Sequence, residues 1–309
     1  MSVPDAPRIV VVAGPTASGK TAVGIALGLE FRGEIVSADS IQVYRYMDVG
    51  SAKPTREERS RVPHHLLDIR DPDEDFSAGD FVKEARTNIG EILSRGNLPL
   101  VVGGTGLYIR ALLRGIADLP PSDASLRGEL RSEEARLGSG TLFQRLTRVD
   151  PDSAAGIDPH NLPRIVRALE VWELTGRKPS EIRRAHSFGE RPYRFLLLCL
   201  AQERSILYER IDNRVECMIR EGLLDEVTRL SQMGYTRNLK SLQSIGYRHA
   251  GMILAGEVEL LEGITLMKRD TRHFAKRQLT WFRSEPEVVW CDPHDLDGIR
   301  SVVRKFVER

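Results

Sequence analysis

Cysteine is scarce in this 309-residue sequence: Cys199, Cys217 and Cys291 lie far apart and form no CxxC pair. That spacing argues against a structural zinc site and fits a reducing compartment. No apolar run is long enough to cross a membrane. The opening MSVPDAPR has none of the apolar length that a secretory signal needs, so a cytoplasmic protein is expected. Net charge is also nearly missing. The 45 Lys and Arg against 44 Asp and Glu give +1, which neither suggests nor excludes a nucleic-acid partner. The remaining composition, 41% hydrophobic and 29% charged, is ordinary for a globular chain that builds one large core or two modest ones.

Charge is nevertheless uneven. MKRDTRHFAKRQLTWFRS, residues 267–284, holds six Lys or Arg against one Asp, with Trp281 and Phe282 inside the run. A charge run is more often a solvated helix face than a binding site. The aromatic pair adds some weight to a phosphate or base contact.

The chain begins with alternating signals. RIVVVAG is a short β-branched run ending in glycine, and a helix through TAVGIALGLEF follows from near Lys20. GEIVSAD reads as a second strand and LPLVVGGTG as a third, whose glycines would let backbone approach a ligand. Between them Phe81, Ala85, Ile89 and Leu93 repeat at helical spacing up to a C-cap at Gly96. This alternation predicts an α/β fold: a mostly parallel sheet covered by helices, with ligands at the carboxyl ends of its strands.

Pro120 and Pro121 break that texture, and Ser122 or Asp123 can cap a new helix. Residues 120–192 then read as helices and turns, clearest in NLPRIVRALEVWELTG, where Leu162, Ile165, Leu169 and Trp172 share a side. YRFLLLCLA returns the chain to the sheet, and the rest reads as mostly helical, with a stripe of Leu207, Ile211, Val215 and Met218. The expected organisation is a core over 1–119, a mainly helical insertion over 120–192, and a return to the core over 193–309 with a basic end.

GPTASGKT, residues 14–21, satisfies GxxxxGK[ST] between a predicted strand and helix. Gly14 and Gly19 permit close backbone approach, successive N–H groups converge on phosphate oxygens, and the helix N-terminus favours negative charge. Lys20 would neutralise phosphate and the Thr21 hydroxyl would coordinate Mg²⁺. An NTPase would add an acidic residue at a second strand end; LPLVVGGTG and FLLLCLA supply none. Asp39, closing EIVSAD, is open to three readings: a metal ligand, a helix cap, or something else. Ser40, Gln42 and Tyr44 add hydrogen-bonding groups behind the loop, and Gln42 suits an adenine edge.

Together GPTASGKT, SADSIQVYR, PHHLLDI, VVGGTGLYI, QSIGYR and AKRQLTWFR resemble the bacterial tRNA dimethylallyltransferases, also called tRNA isopentenylpyrophosphate transferases, essentially throughout the chain. The resemblance implies a P-loop NTPase-like core that moves a dimethylallyl group from dimethylallyl pyrophosphate to N6 of adenosine 37. The substrates would be tRNAs reading codons that begin with U, held by the anticodon stem-loop. It implies a monomer of the compact bacterial form.

It also assigns residues. Gly14, Pro15, Thr16, Ala17, Ser18, Gly19, Lys20 and Thr21 would cradle the pyrophosphate, with Thr21 on Mg²⁺. Asp39 becomes the catalytic base, Thr105 sits near the reacting atoms, and Arg214, preferred over Arg210, stabilises the leaving group. Expected tRNA contacts are Asp39, Ser40, Ile41 and Gln42; Arg127; Pro163, Arg164, Ile165, Val166 and Arg167; and Gln243, Ser244, Ile245, Gly246, Tyr247 and Arg248. The family commonly has a polar residue where this chain has Pro163. Trp281 and Phe282 are expected to pack, with Lys276, Arg277 or Arg283 on the RNA backbone. A P-loop phosphotransferase, an RNA-binding protein with a nucleotide switch, and a free-adenylate prenyltransferase are the rival readings.

Overall fold

The computed structural model describes residues 6–186 and 189–308. Most of the opening segment read for a leader, and Ser187 and Phe188 near the end of the expected insertion, lie outside them.

The chain divides into two compact units, one of residues 1–114 with 191–309 and one of 115–190. The first begins with β1 (Arg8–Ala13), α1 (Lys20–Phe31), β2 (Gly33–Ser37) and α2 (Arg56–Arg61). It continues through β3 (His64–His65), α3 (Ala78–Ser94), β4 (Leu98–Gly103) and α4 (Gly106–Arg114). The six-stranded sheet runs β3-β2-β4-β1-β5-β6, where β5 is Arg194–Leu200 and β6 is Val288–Cys291, and every pairing is parallel. Ile9 through Ala13 are fully buried, as a central parallel strand covered on both faces requires. Register sets Ala13 beside Gly103, and Ser37 beside Val102. The loops after β1, β2 and β4 therefore leave the same edge of the sheet side by side.

Two strands were not expected. β3 is two residues long, and β6 is a half-exposed edge, so neither carries the buried apolar run that marks the others. α3 follows its sequence signals closely. Ser77 and Asp80 form a capping box, and the N–H groups of Gly96 and Asn97 return to Leu93 and Ile92 around a left-handed Gly96 (φ 74°). Ile92, rather than Leu93, takes the buried position.

The second unit is helical: α5 (Ala124–Leu137), α6 (Thr141–Val149), α7 (Pro151–Ala155), α8 (Leu162–Thr175) and α9 (Pro179–His186). Asp123 is the α5 cap, accepting from the Leu126 N–H. Its core gathers Leu130, Leu142, Leu146, Ile157, Ile165, Val166 and Leu169.

After β5 come α10 (Arg204–Arg220), α11 (Leu223–Gln232), α12 (Tyr247–Leu254) and α13 (Leu260–Arg283), with α14 (Leu296–Val307) following β6. Leu207, Ile211, Val215 and Met218 are all buried, the stripe expected of α10. No described helix is long and apolar enough to cross a membrane.

Candidate active site

The phosphate loop joins β1 to α1. Gly14 has φ 143°, and a Cβ there would stand 2.8 Å from the Leu200 carbonyl oxygen and 2.9 Å from Ser18 Oγ. α1 starts at a left-handed Gly19 with no side-chain cap and no acidic residue in its first turn. Its first amides are therefore left for an external acceptor. Lys20 reaches back over the loop, its Nζ donating to Pro15 O at 2.7 Å. Burial, and then the Arg214 guanidinium, bring its pKa from 10.5 down to about 8, against opposing pulls from Asp39 and Cys199. An ammonium so placed gains on meeting an anion, because the anion replaces the lost water.

Asp39 follows β2. Its Oδ1 accepts from the Ile41 N–H at 2.9 Å and the Gln42 N–H at 3.3 Å. One oxygen is thus a turn anchor, while Oδ2 has no hydrogen bond recorded among the described residues. Next to it the Ser40 N–H donates to Thr105 Oγ1 at 3.2 Å, and the Thr105 N–H donates to Ala38 O at 3.2 Å. The ends of β2 and β4 are stitched together at the two residues expected to act on the substrate.

Opposite stands α10. Arg214 and Arg210 both line the cavity. Burial lowers the pKa of Arg214 and Asp39 pulls it back up. The segment 48–53 forms a further wall, held by two buried charges. Glu226 takes the N–H groups of Asp48, Val49 and Gly50 at 2.9–3.2 Å and the Tyr247 hydroxyl at 2.6 Å. Lys53 Nζ bonds Tyr44 O, Asp48 and Asp68 at 2.6–2.7 Å. Neither Glu226 nor Lys53 was singled out from the sequence, since a lone Glu or Lys on a helix or loop carries no pattern.

These groups surround one cavity of about 790 Å³, within the range of sites that enclose a small ligand. Lys20, Thr21, Asp39, Thr105 and Arg214 all line it, with Val215, Met218, Ile245, Met267 and Phe274 as apolar wall. Thr16, Ala17 and Gly19 are on its lining as well, while Ser18 is fully buried with its Oγ unpaired. β6 is followed by Asp292, but that carboxylate accepts from the His294 N–H at 2.9 Å and does not line the cavity. No described group of three or more His, Cys, Asp or Glu is arranged to hold a metal. The hydroxyl of Thr21 suits Mg²⁺, which binds through few protein ligands, substrate phosphates and retained waters.

The expected tRNA residues separate by burial. Ser40, Ile41 and Gln42 line the cavity, as do Gln243, Ser244, Ile245 and Arg248. The carboxamide of Gln42, however, is engaged: Nε2 donates to Ser51 O and Ala52 O at 3.3 and 3.2 Å, and Oε1 accepts from Ser37 Oγ at 3.2 Å. It braces the 51–52 wall rather than presenting an open edge for adenine. Tyr247 is buried on Glu226, and Gly246 is the turn that introduces α12, so neither presents a side chain to RNA. In the helical unit the Ile165 and Val166 side chains belong to the core, so what they can offer RNA is backbone. Arg127 and Arg167 both grip the fully buried Glu170, at 2.6–2.9 Å, and Arg167 also donates to Pro120 O. Their first task is neutralising a buried carboxylate. Pro163 and Arg164 are exposed.

The basic run is α13. Phe282 is buried, whereas Trp281 lies under the Arg110 guanidinium, 4.2 Å from the ring centroid. Trp281 is only half-buried and edges an open groove beside α13. Gly104 and Gly106 do not chiefly make room for a ligand: a Cβ would stand 2.3 Å from Gln278 Nε2 and 2.3 Å from Trp281 Cδ1 respectively. His273, Lys276 and Arg277 line a second, open groove of about 590 Å³ along α13, and Arg277 also lines the first cavity.

A family model described as IPP transferase matches residues 42–285, beginning at the last residue of the Asp39 turn. The chain is 50% identical to tRNA dimethylallyltransferase 1 of Pelobacter propionicus, with 94% of each covered. It resembles the crystal structure of the tRNA isopentenylpyrophosphate transferase of Bacillus halodurans, at 41% identity, TM-score 0.72 and 97% coverage of both chains. A eukaryotic dimethylallyltransferase captured acting on tRNA is similar over 98% of this chain and 80% of its own, at 28% identity and TM-score 0.83.

Proposed function

The chain belongs to the IPP transferase family, the tRNA dimethylallyltransferases, and from that premise we propose how its cavity performs the transfer. Dimethylallyl pyrophosphate and a tRNA adenine, N6 of adenosine 37 in tRNAs reading codons that begin with U, meet in the 790 Å³ cavity. The allylic C–O bond breaks, the C–N bond forms, and inorganic pyrophosphate leaves. Charge gathers on the departing oxygen. Lys20, the amides at the start of α1 and Arg214 are the donors suited to hold it in a partly desolvated cleft. Mg²⁺ bound at Thr21 would share that charge.

Asp39 handles the other side. N6 becomes acidic only as its new bond forms, and a carboxylate with one oxygen fixed by backbone and the other turned free can orient the amine and take its proton. The Thr105 hydroxyl, whose oxygen is held by the Ser40 N–H, keeps its proton for substrate. The tRNA partner reaches the core through Ser40, Ile41, Gln243, Ser244 and Arg248, and the helical unit through Pro163 and Arg164. The enzyme is expected to act as a cytoplasmic monomer.

The observation that carries this reading is that Lys20, Asp39, Thr105 and Arg214, from two strand-end loops and the helices α1 and α10, line a single cavity. The test is incubation with dimethylallyl pyrophosphate, Mg²⁺ and unmodified tRNA carrying A36–A37–A38, followed by mass analysis of nucleosides. N6-dimethylallyl adenosine is expected. Its absence, with a positive control active, would overturn the assignment.

A further inference from the structure

Gln278 sits on α13, one turn before Trp281, and is buried. Its carboxamide makes two bonds to two different loops. Oε1 accepts from the backbone N–H of Thr16 in the phosphate loop at 2.8 Å, and Nε2 donates to the carbonyl of Gly104 at 2.9 Å. Those loops leave the adjacent strands β1 and β4. Gly104 is shaped to this partner, since any Cβ there would collide with the amide.

The consequence for the site is direct. The Thr16 proton is withdrawn from the anion cradle and used to fix the start of the loop, so the donors left for phosphate begin farther along. The Gly104 carbonyl is pinned immediately before Thr105, whose Oγ1 holds the Ser40 N–H beside Asp39. A continuous set of bonds thus runs from the loop under the leaving group, through Gln278, to the turn that carries the base.

We propose that Gln278 is a positioning residue for transfer: its carboxamide sets the separation between the phosphate cradle and the Asp39–Thr105 edge. Accepting from an N–H while donating to a C=O needs both halves of an amide. A carboxylate lacks the donor and an ammonium lacks the acceptor. Prenyl transfer needs nucleophile and carbon brought together along one line, and a misplacement of about 1 Å costs about 10²-fold. The inference rests on the dimethylallyl-transfer reading above.

The experiment compares full-length wild type with Gln278→Met and Gln278→Glu. Gln278→Met keeps the volume and loses both bonds, so kcat/KM for dimethylallyl pyrophosphate should fall about 10- to 100-fold while the tRNA Kd stays within about twofold. Gln278→Glu keeps the acceptor, and when protonated it regains a donor for Gly104. Its kcat relative to wild type should therefore climb as pH falls from about 8.5 to about 6. Lys20, Asp39, Arg210 and Arg214 line the same cavity, so the profile is read as a ratio to wild type. A residue that only packs would give a flat ratio. That flat ratio, or a Gln278→Met enzyme within about twofold of wild type, overturns the proposal. Should Gln278→Met not fold, Gly104→Ala crowds the same amide and carries the same expectation. If wild type itself makes no product, the transfer reading fails separately. Calorimetry with inorganic pyrophosphate then still reads the cradle: about fivefold weaker binding in Gln278→Met supports positioning, and equal binding refutes it.

Discussion

Replacing Lys20 by methionine is expected to raise the stability of the free protein at neutral pH while removing its activity. Burial and Arg214 hold the folded-state pKa of Lys20 at about 8 rather than 10.5. Between those values the unfolded chain binds a proton that the folded chain does not, so stability rises with pH through that window. Below about pH 8 the cost of keeping the charge is present in full. The interval from 10.5 to about 8, at about 1.36 kcal/mol per pH unit, makes it about 3 kcal/mol. Methionine keeps the apolar stem and drops the charge, and losing the bond to Pro15 O takes back about 1–1.5 kcal/mol. The net gain is about 1.5–2 kcal/mol, or about 2–3 °C in Tm for a chain of this size. The assay is thermal unfolding by circular dichroism in phosphate-free buffer at pH 7 and near pH 10. The advantage should shrink at the higher pH, where wild-type Lys20 sheds its proton unaided. Product formation should fall by at least about 10²-fold. A Lys20→Met protein that melts lower at pH 7, or whose advantage persists unchanged to pH 10, would refute the buried-charge reasoning.

Asp39→Asn keeps an acceptor for the Ile41 and Gln42 N–H groups but cannot take a proton. Turnover should drop about 10²–10⁴-fold with tRNA affinity retained, and full turnover in a single-turnover assay would leave Asp39 only its turn. Arg127→Ala should lower the unfolding free energy in denaturant melts by about 2 kcal/mol, because buried Glu170 loses a two-pronged partner. Arg164→Ala should leave stability alone and reduce the salt dependence of tRNA binding by about one phosphate contact; the reverse pattern would exchange their roles. Glu226→Gln sets an NH₂ group against N–H donors and should cost about 2–4 kcal/mol in urea melts, against about 1–2 for Tyr247→Phe. Equal midpoints for wild type and Glu226→Gln would remove Glu226 as the anchor of the 48–50 turn.

The parts legible in the sequence are those whose causes are local. β1, β2, β4 and β5 are apolar runs closed by turns, and α1 begins where GxxxxGK[ST] puts it. Asp123, Gly96 and the Leu207–Met218 stripe all act within their own helix or its first turn beyond. β6 escaped because an edge strand needs only four residues and one covered face. Glu226 escaped for a different reason. Its three N–H partners and the Tyr247 hydroxyl come from segments 21 to 178 residues away, and no local pattern announces a buried carboxylate satisfied by backbone.

Glycine signals show most sharply where local reading stops. A glycine pair closing a buried strand excludes a Cβ, and the usual reason is a ligand pressed against the backbone. At Gly104 and Gly106 the excluded volume belongs instead to Gln278 and Trp281, the former 174 residues later in the chain. Both causes leave the same mark on the sequence, because steric exclusion does not record what does the excluding. The two motifs GGTG and RQLTW are therefore one contact, split across the chain. Their joint presence says more about the distance between phosphate cradle and catalytic turn than either says about a ligand.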